Sequence, residues 1–124
     1  MSPTILVADD EPNIVISLEY LLRREGYTVL IARDGQEALD TITRDKPDLV
    51  LLDVMMPKKT GFEVCQEVRA VESLQGVKIL MLTAKGRDTD VAKGLALGAD
   101  AYMTKPFATR ELVEKVSAIL QRAA

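Results

Sequence analysis

Histidine is absent from the 124 residues, tryptophan is absent too, and cysteine occurs once, as Cys65. Without an imidazole the chain cannot run a His-assisted serine or cysteine hydrolysis, hold zinc through histidine, or bind haem on a proximal His. A single cysteine permits no intrachain disulfide and no cysteine-rich zinc site, which suits a reducing compartment. Long apolar runs are also lacking: Leu49 to Leu52 and Ile79 to Leu82 fall far short of the roughly 20 residues of a membrane span. The opening Met1-Ser2-Pro3-Thr4 has neither the basic nor the apolar region of a secretion signal. Nor does one sign of charge dominate, since 16 basic against 19 acidic side chains leave a net charge of -3 and no field to attract a polyanion. These absences imply a cytoplasmic protein with no membrane insertion and no direct nucleic-acid binding. Its chemistry must rest on carboxylates, hydroxyls, lysines or a hard metal.

What is present is ample material for one core, with 48% of residues apolar in a chain that can bury about two thirds of its unfolded surface. A single domain over residues 1–124 is expected, with no output domain. Apolar runs of strand length at Thr4 to Ala8, Tyr27 to Ala32, Asp48 to Leu52, Val77 to Thr83 and Ala101 to Thr104 alternate with amphipathic stretches. That alternation is the pattern of an α/β domain with a parallel sheet, and runs apolar throughout belong to strands covered on both faces. Pro12 suits a first helical turn, Ile14, Leu18, Leu21 and Leu22 repeat with helical spacing, and Gly26 suits a left-handed end. Asp34 can cap a second helix that must stop before Pro47, and a third begins at about Phe62. The fourth, from Asp88, carries a weakening Gly94 and is expected to be the least stable; Thr109 caps the fifth.

In an open parallel sheet, ligands bind beyond the carboxyl ends of the strands, where the strand order reverses. Asp9 and Asp10 follow the first strand, Asp53 the third, Thr83 ends the fourth, and the fifth runs into Lys105-Pro106. Singly, each acid is as readily a helix cap. Together, three carboxylates repel one another unless a cation neutralises them, and an all-oxygen set favours Mg²⁺. With Asp9 and Asp10 on the metal, Asp53 is free to act as a nucleophile and form an acyl phosphate. Lys105 and the Thr83 hydroxyl would then compensate charge on the transferring group.

Ala8-Asp9-Asp10-Glu11, Asp53-Val54-Met55-Met56-Pro57 with Gly61, Thr83-Ala84, and Tyr102-Met103-Thr104-Lys105-Pro106-Phe107 occur in the order found in receiver domains of two-component response regulators. The chain resembles that family, including its single-domain chemotaxis-type members, over nearly its whole length. The resemblance implies a flavodoxin-like doubly wound (βα)5 fold with five parallel strands in the order 2-1-3-4-5. It implies Asp53 as phosphoacceptor, and Mg²⁺, with Mn²⁺ as a substitute, on Asp9 or Asp10, Asp53 and the backbone carbonyl of Met55. Asp10 is the usual direct ligand, with Asp9 acting through water as one alternative. Lys105 would grip the phosphoryl group, and Thr83 and Tyr102 would form a switch pair moving the surface of helix 4, strand 5 and helix 5. Met55 and Lys85 would tune dephosphorylation, and Lys105-Pro106 would be cis, against the general preference for trans.

The resemblance further implies a phosphoacceptor switch rather than an enzyme with an external substrate, catalysing its own phosphorylation and dephosphorylation. Its donor would be a sensor histidine kinase or a histidine phosphotransfer protein. Its target would be a protein partner or an output domain, with the chain a monomer or a weak phosphorylation-dependent dimer. The start at Met1 and the lack of a trailing linker favour a natural single-domain regulator over an excised receiver. An aspartyl-phosphate phosphohydrolase would need an acid two residues after its nucleophile, where this chain has Met55. A flavin module would need a phosphate loop after strand 1, where Asp9-Asp10-Glu11 would repel the phosphate. A receiver-like binder that is never phosphorylated would lack the acceptor or the lysine, and both are present. Cys65 reads as a small core side chain, and Lys58, Lys59 and Lys85 read as solvated loop charges.

Overall fold

The computed structural model describes residues 2–84 and 86–122. Five strands alternate with five α-helices: β1 (Thr4–Ala8), α1 (Pro12–Arg24), β2 (Thr28–Ala32), α2 (Gly35–Asp45), β3 (Leu49–Asp53), α3 (Gly61–Arg69), β4 (Lys78–Ala84), α4 (Asp88–Ala96), β5 (Ala101–Lys105) and α5 (Thr109–Arg122). The strands form one sheet in the order β2-β1-β3-β4-β5, all pairs parallel, as the resemblance implied. Strand order reverses between β1 and β3, which leaves a crevice at their carboxyl ends.

Side chains alternate across the sheet, so each face carries its own core. Ile5, Val7, Leu49, Leu51, Leu80, Leu82 and Met103 pack with Leu18 and Leu22 of α1 and Leu112 and Val116 of α5. Leu6, Val50, Leu52, Ile79 and Met81 pack on the other face with Ala38 and Ile42 of α2 and with Val64, Cys65 and Val68 of α3. Each fully buried leucine contributes roughly 1.5–3 kcal/mol relative to exposure. Cys65 belongs to this core, and burial raises its thiol pKa. It is packing, as its helical position suggested.

Local signals set most helix ends. Pro12 opens α1, and Gly26, with φ +92, accommodates the left-handed turn after it. Asp34 accepts the Glu37 amide at 2.7 Å as the cap of α2, which ends at Asp45, two residues before Pro47. α3 starts at Gly61 because Thr60 and Glu63 form a reciprocal capping box. That Thr60-x-x-Glu63 signature is legible in the sequence. A 3₁₀ turn, Glu72–Leu74, has no counterpart among the expected elements. Thr109 is the first residue of α5, and the Ala108 carbonyl before it accepts the Leu112 amide; Thr109 therefore opens the helix from inside it. Among the described residues no helix is long and apolar enough to cross a membrane.

Candidate functional site

Register and parity bring the acids together. Val7 pairs with Leu51 and Leu82 with Asp53 and Met103, so two residues further along, Asp9, Asp53 and Lys105 emerge on the same face at one end of the sheet. Asp9, although past the end of β1, continues the ladder through its amide, which donates to the Ala32 carbonyl at 3.1 Å. The loop after Asp53 then turns back tightly. The Gly61 amide donates to the Val54 carbonyl at 2.8 Å, and a side chain at Gly61 would strike the Asp53 carbonyl. Only glycine permits that approach.

Asp9 is fully buried, and both its oxygens are engaged: Oδ1 accepts the Glu11 amide at 2.9 Å and Oδ2 accepts the Lys105 ammonium at 2.7 Å. The same Nζ lies 3.2 Å from Oδ1 of Asp53, which is 8% exposed. Asp10 stands exposed at the rim, and one carboxylate oxygen from each of Asp9, Asp10 and Asp53 lies within 4.8 Å of the others. Burial, reinforced by the charge of Asp9, pushes the Asp53 carboxyl up to about 6 against the opposing pull of Lys105. Burial works against the Lys105 charge, yet the Asp9 hydrogen bond and the charge of Asp53 outweigh it and raise its pKa.

Among the described residues three carboxylates face one ammonium, and this deficit of positive charge adds to burial, the larger cause, in raising the Asp53 pKa. The donor set is all oxygen and opens into a cleft of about 320 Å³ lined by Asp10, Asp53, Met55, Ala84, Arg87 and Lys105 among others. This arrangement fits a hard divalent cation of the Mg²⁺ type, which prefers carboxylates and keeps several waters.

Of the residues singled out from the sequence, Asp9, Asp10, Asp53 and Lys105 meet at one point. Met55 is 70% exposed at the cleft. Thr83 is buried and its hydroxyl has no hydrogen-bond partner among the described residues. Tyr102 is 40% exposed, with the Lys115 ammonium 5.4 Å from its ring centroid and donating to its carbonyl at 3.1 Å. The ring therefore lies outward, apart from the acids. Lys105–Pro106 is cis. Lys58 pairs with Asp34 at 3.7 Å and Lys59 with Glu67 at 3.0 Å, so these loop lysines have partners of their own. Lys85 lies outside the described residues. Sequence reasoning misses Arg87 and Asp90, which line the cleft from the start of α4; nothing in their local pattern ties them to Asp53.

Residues 5–117 match the family model described as the response regulator receiver domain. The alkaline phosphatase synthesis transcriptional regulatory protein PhoP of Bacillus subtilis (strain 168) is 52% identical over 123 residues, 99% of this chain and 50% of that protein. The chain thus spans about half the length of this curated relative. Among solved structures, a CheY-like response regulator receiver domain protein from Methanospirillum hungatei JF-1 superposes with a TM-score of 0.92 at 32% identity, covering 99% of this chain and 97% of that one. The receiver domain of a sensor histidine kinase from Pseudomonas aeruginosa PAO1, described with a magnesium ion coordinated in the active site cleft, gives 0.89 at 30% identity, covering 98% and 99%.

Proposed function

The chain belongs to the response regulator receiver domain family of two-component systems, and on that premise we propose that Asp53 accepts a phosphoryl group and that Thr83 and Tyr102 report its arrival. The observation that carries this reading is the convergence of Asp9, Asp10 and Asp53 around an ammonium shared by Asp9 and Asp53. Asp10, Asp53 and the Met55 carbonyl would hold Mg²⁺, with Asp9 acting directly or through water. When bound, Mg²⁺ supplies charge compensation to the oxygens of the transferring group. Mn²⁺, of similar ligand preference, is the expected substitute.

An oxygen of the Asp53 carboxylate attacks phosphorus while the bond from phosphorus to the donor nitrogen breaks, and the nitrogen keeps that electron pair. The product is an acyl phosphate on Asp53 and a dephosphorylated donor imidazole. This chain has no histidine, so the imidazole belongs to a partner, a sensor histidine kinase or a phosphotransfer protein. Lys105 already stands against Asp53 and exchanges part of its contact for the new phosphoryl oxygens. Thr83 offers a buried hydroxyl without a partner among the described residues, which a phosphoryl oxygen would satisfy. Drawing Thr83 toward that oxygen vacates space on its face of the sheet, and Tyr102, two register positions back on the neighbouring strand, turns inward to fill it. The protein switches itself and hydrolyses its own acyl phosphate, with no external substrate to transform.

The output lies with the surface of α4, β5 and α5, acting on a protein partner or on an output domain. The half-length coverage of a relative named as a transcriptional regulator supports an attached output domain. A donor of this class places the chain in the cytoplasm, as a monomer or a weak phosphorylation-dependent dimer. Acetyl phosphate with Mg²⁺ is expected to add one phosphoryl group by intact mass, and Asp53→Asn to abolish it. Undiminished labelling of Asp53→Asn would overturn the assignment.

A further inference from the structure

The cleft contains a second cation without a role in the steps above. Arg87 lines it together with Asp53 and Lys105, from the position immediately before α4. Its side chain is 59% exposed and forks onto Asp90 in the first turn of that helix, Nε to Oδ2 at 3.0 Å and Nη2 to Oδ1 at 3.4 Å. Asp90 lines the cleft as well.

We propose that Arg87 is a phosphoryl-binding residue, which exchanges Asp90 for the phosphoryl oxygens on Asp53. The inference rests on Asp53 being the acceptor. The described lining carries Asp10, Glu11, Asp53 and Asp90 against Lys105 and Arg87. A phosphoryl group on Asp53 replaces one negative charge with about two and adds oxygens suited to a planar guanidinium fork. Lys105 is already divided between Asp9 and Asp53, so Arg87, the other cation of the described lining, adds to the compensation that Mg²⁺ and Lys105 supply. An exposed Arg–carboxylate pair is weak and easily exchanged, whereas the phosphoryl dianion is the stronger partner for the same fork. α4 has no side-chain cap, and Asp90, once released, remains in its first turn, where a negative charge is favourable. The start of α4 is thereby tied to the acceptor through Arg87, separately from Thr83 and Tyr102.

The test is a titration with beryllofluoride at fixed Mg²⁺, followed by ¹⁹F NMR, on the wild-type chain, Arg87→Ala, Arg87→Lys, Asp90→Asn and the double variant Arg87→Ala/Asp90→Asn. Loss of one charge-assisted fork at a partly exposed site should weaken binding about fivefold in Arg87→Ala, with Arg87→Lys recovering part of it. Asp90→Asn, which removes the competitor, should tighten binding about two- to threefold, and that gain should vanish when Arg87 is alanine. A folded Arg87→Ala that binds like wild type would overturn the inference. So would an Asp90→Asn gain that persists without Arg87, since that is through-space charge alone. A wild-type chain that neither binds beryllofluoride nor takes label from acetyl phosphate would instead bring down the acceptor reading, and this inference with it.

Discussion

α3 and α4 are each nine residues long and flank the same part of the sheet, yet they are held very differently. α3 has a reciprocal capping box and buries Gly61, Val64, Cys65 and Val68. α4 has no side-chain cap, and Gly94 is its one buried residue; a side chain there would press Met81 at 3.3 Å. Leu95 of α4 is exposed, and Lys93 reaches across to the Phe62 ring of α3 at 4.6 Å. The helix that follows the Asp53 loop is therefore anchored, and the one that follows Thr83 rests on the sheet through a glycine. Local stability is low where few apolar groups are buried, and moving elements are drawn from such regions. A switch surface at α4 is consistent with that contrast.

Three measurements would sharpen or break it. The largest effect is expected from truncation of the sheet itself: Leu51→Ala, at a fully buried position of β3 on the face covered by α1 and α5, should cost about 2–5 kcal/mol, while Leu95→Ala on α4 should stay within about 0.5 kcal/mol. Urea unfolding gives both values, and comparable losses would mean that α4 is as firmly packed as the sheet.

The second concerns the acids beside α4. The Asp53 carboxyl is raised to about 6 in the folded chain, above roughly 4 in an unfolded one. The folded state thus binds the extra proton between those values, and its stability falls as pH rises from about 4 to 6, with the full penalty present above 6. Asp53→Asn removes that penalty, so without divalent ions it should stabilise the chain at pH 7 by on the order of 2–3 kcal/mol and leave it nearly unchanged at pH 4. A gain of the same size at both pH values would show that packing, and not charge, is responsible. Mg²⁺ should stabilise wild type at pH 7, by about 1.4 kcal/mol at ten times its Kd, and Asp10→Asn should lose most of that gain.

The smallest effect tests the cap directly. Thr60→Ala should cost about 1 kcal/mol and speed amide exchange in the first turn of α3 toward the rate of α4. If α4 amides are protected as well as those of wild-type α3, the contrast between the two helices fails.

Much of this architecture is legible in the order of residues. Pro12, Gly26, Asp34 and Pro47 mark helix ends through local backbone chemistry, and each acts at the expected end. β1 coincides with its apolar run, whereas the other strand bounds differ by a residue, because the ladder and not the run decides where a strand stops: β3 takes in Asp53, β4 Ala84 and β5 Lys105. Thr60 with Glu63 is a readable cap that apolar periodicity alone does not register. Thr109 looks like a cap because threonine often is one, but the turn closes on the Ala108 carbonyl. Lys58, Lys59, Arg87 and Asp90 cannot be placed from sequence, since their partners depend on how loops from different strands meet.

The sequence by itself determined the alternation of strands and helices and the delivery of Asp9, Asp53, Thr83 and Lys105 to strand ends, because side-chain period and capping are short-range properties. It also determined that no imidazole lies within this chain. Only the tertiary structure decided that one ammonium bridges Asp9 and Asp53, that the Thr83 hydroxyl lies buried without a partner among the described residues, that Tyr102 lies outward and that Arg87 reaches the same cleft. Those outcomes depend on the register of parallel strands and on charges brought together from distant parts of the chain, and neither is encoded in any local stretch of residues.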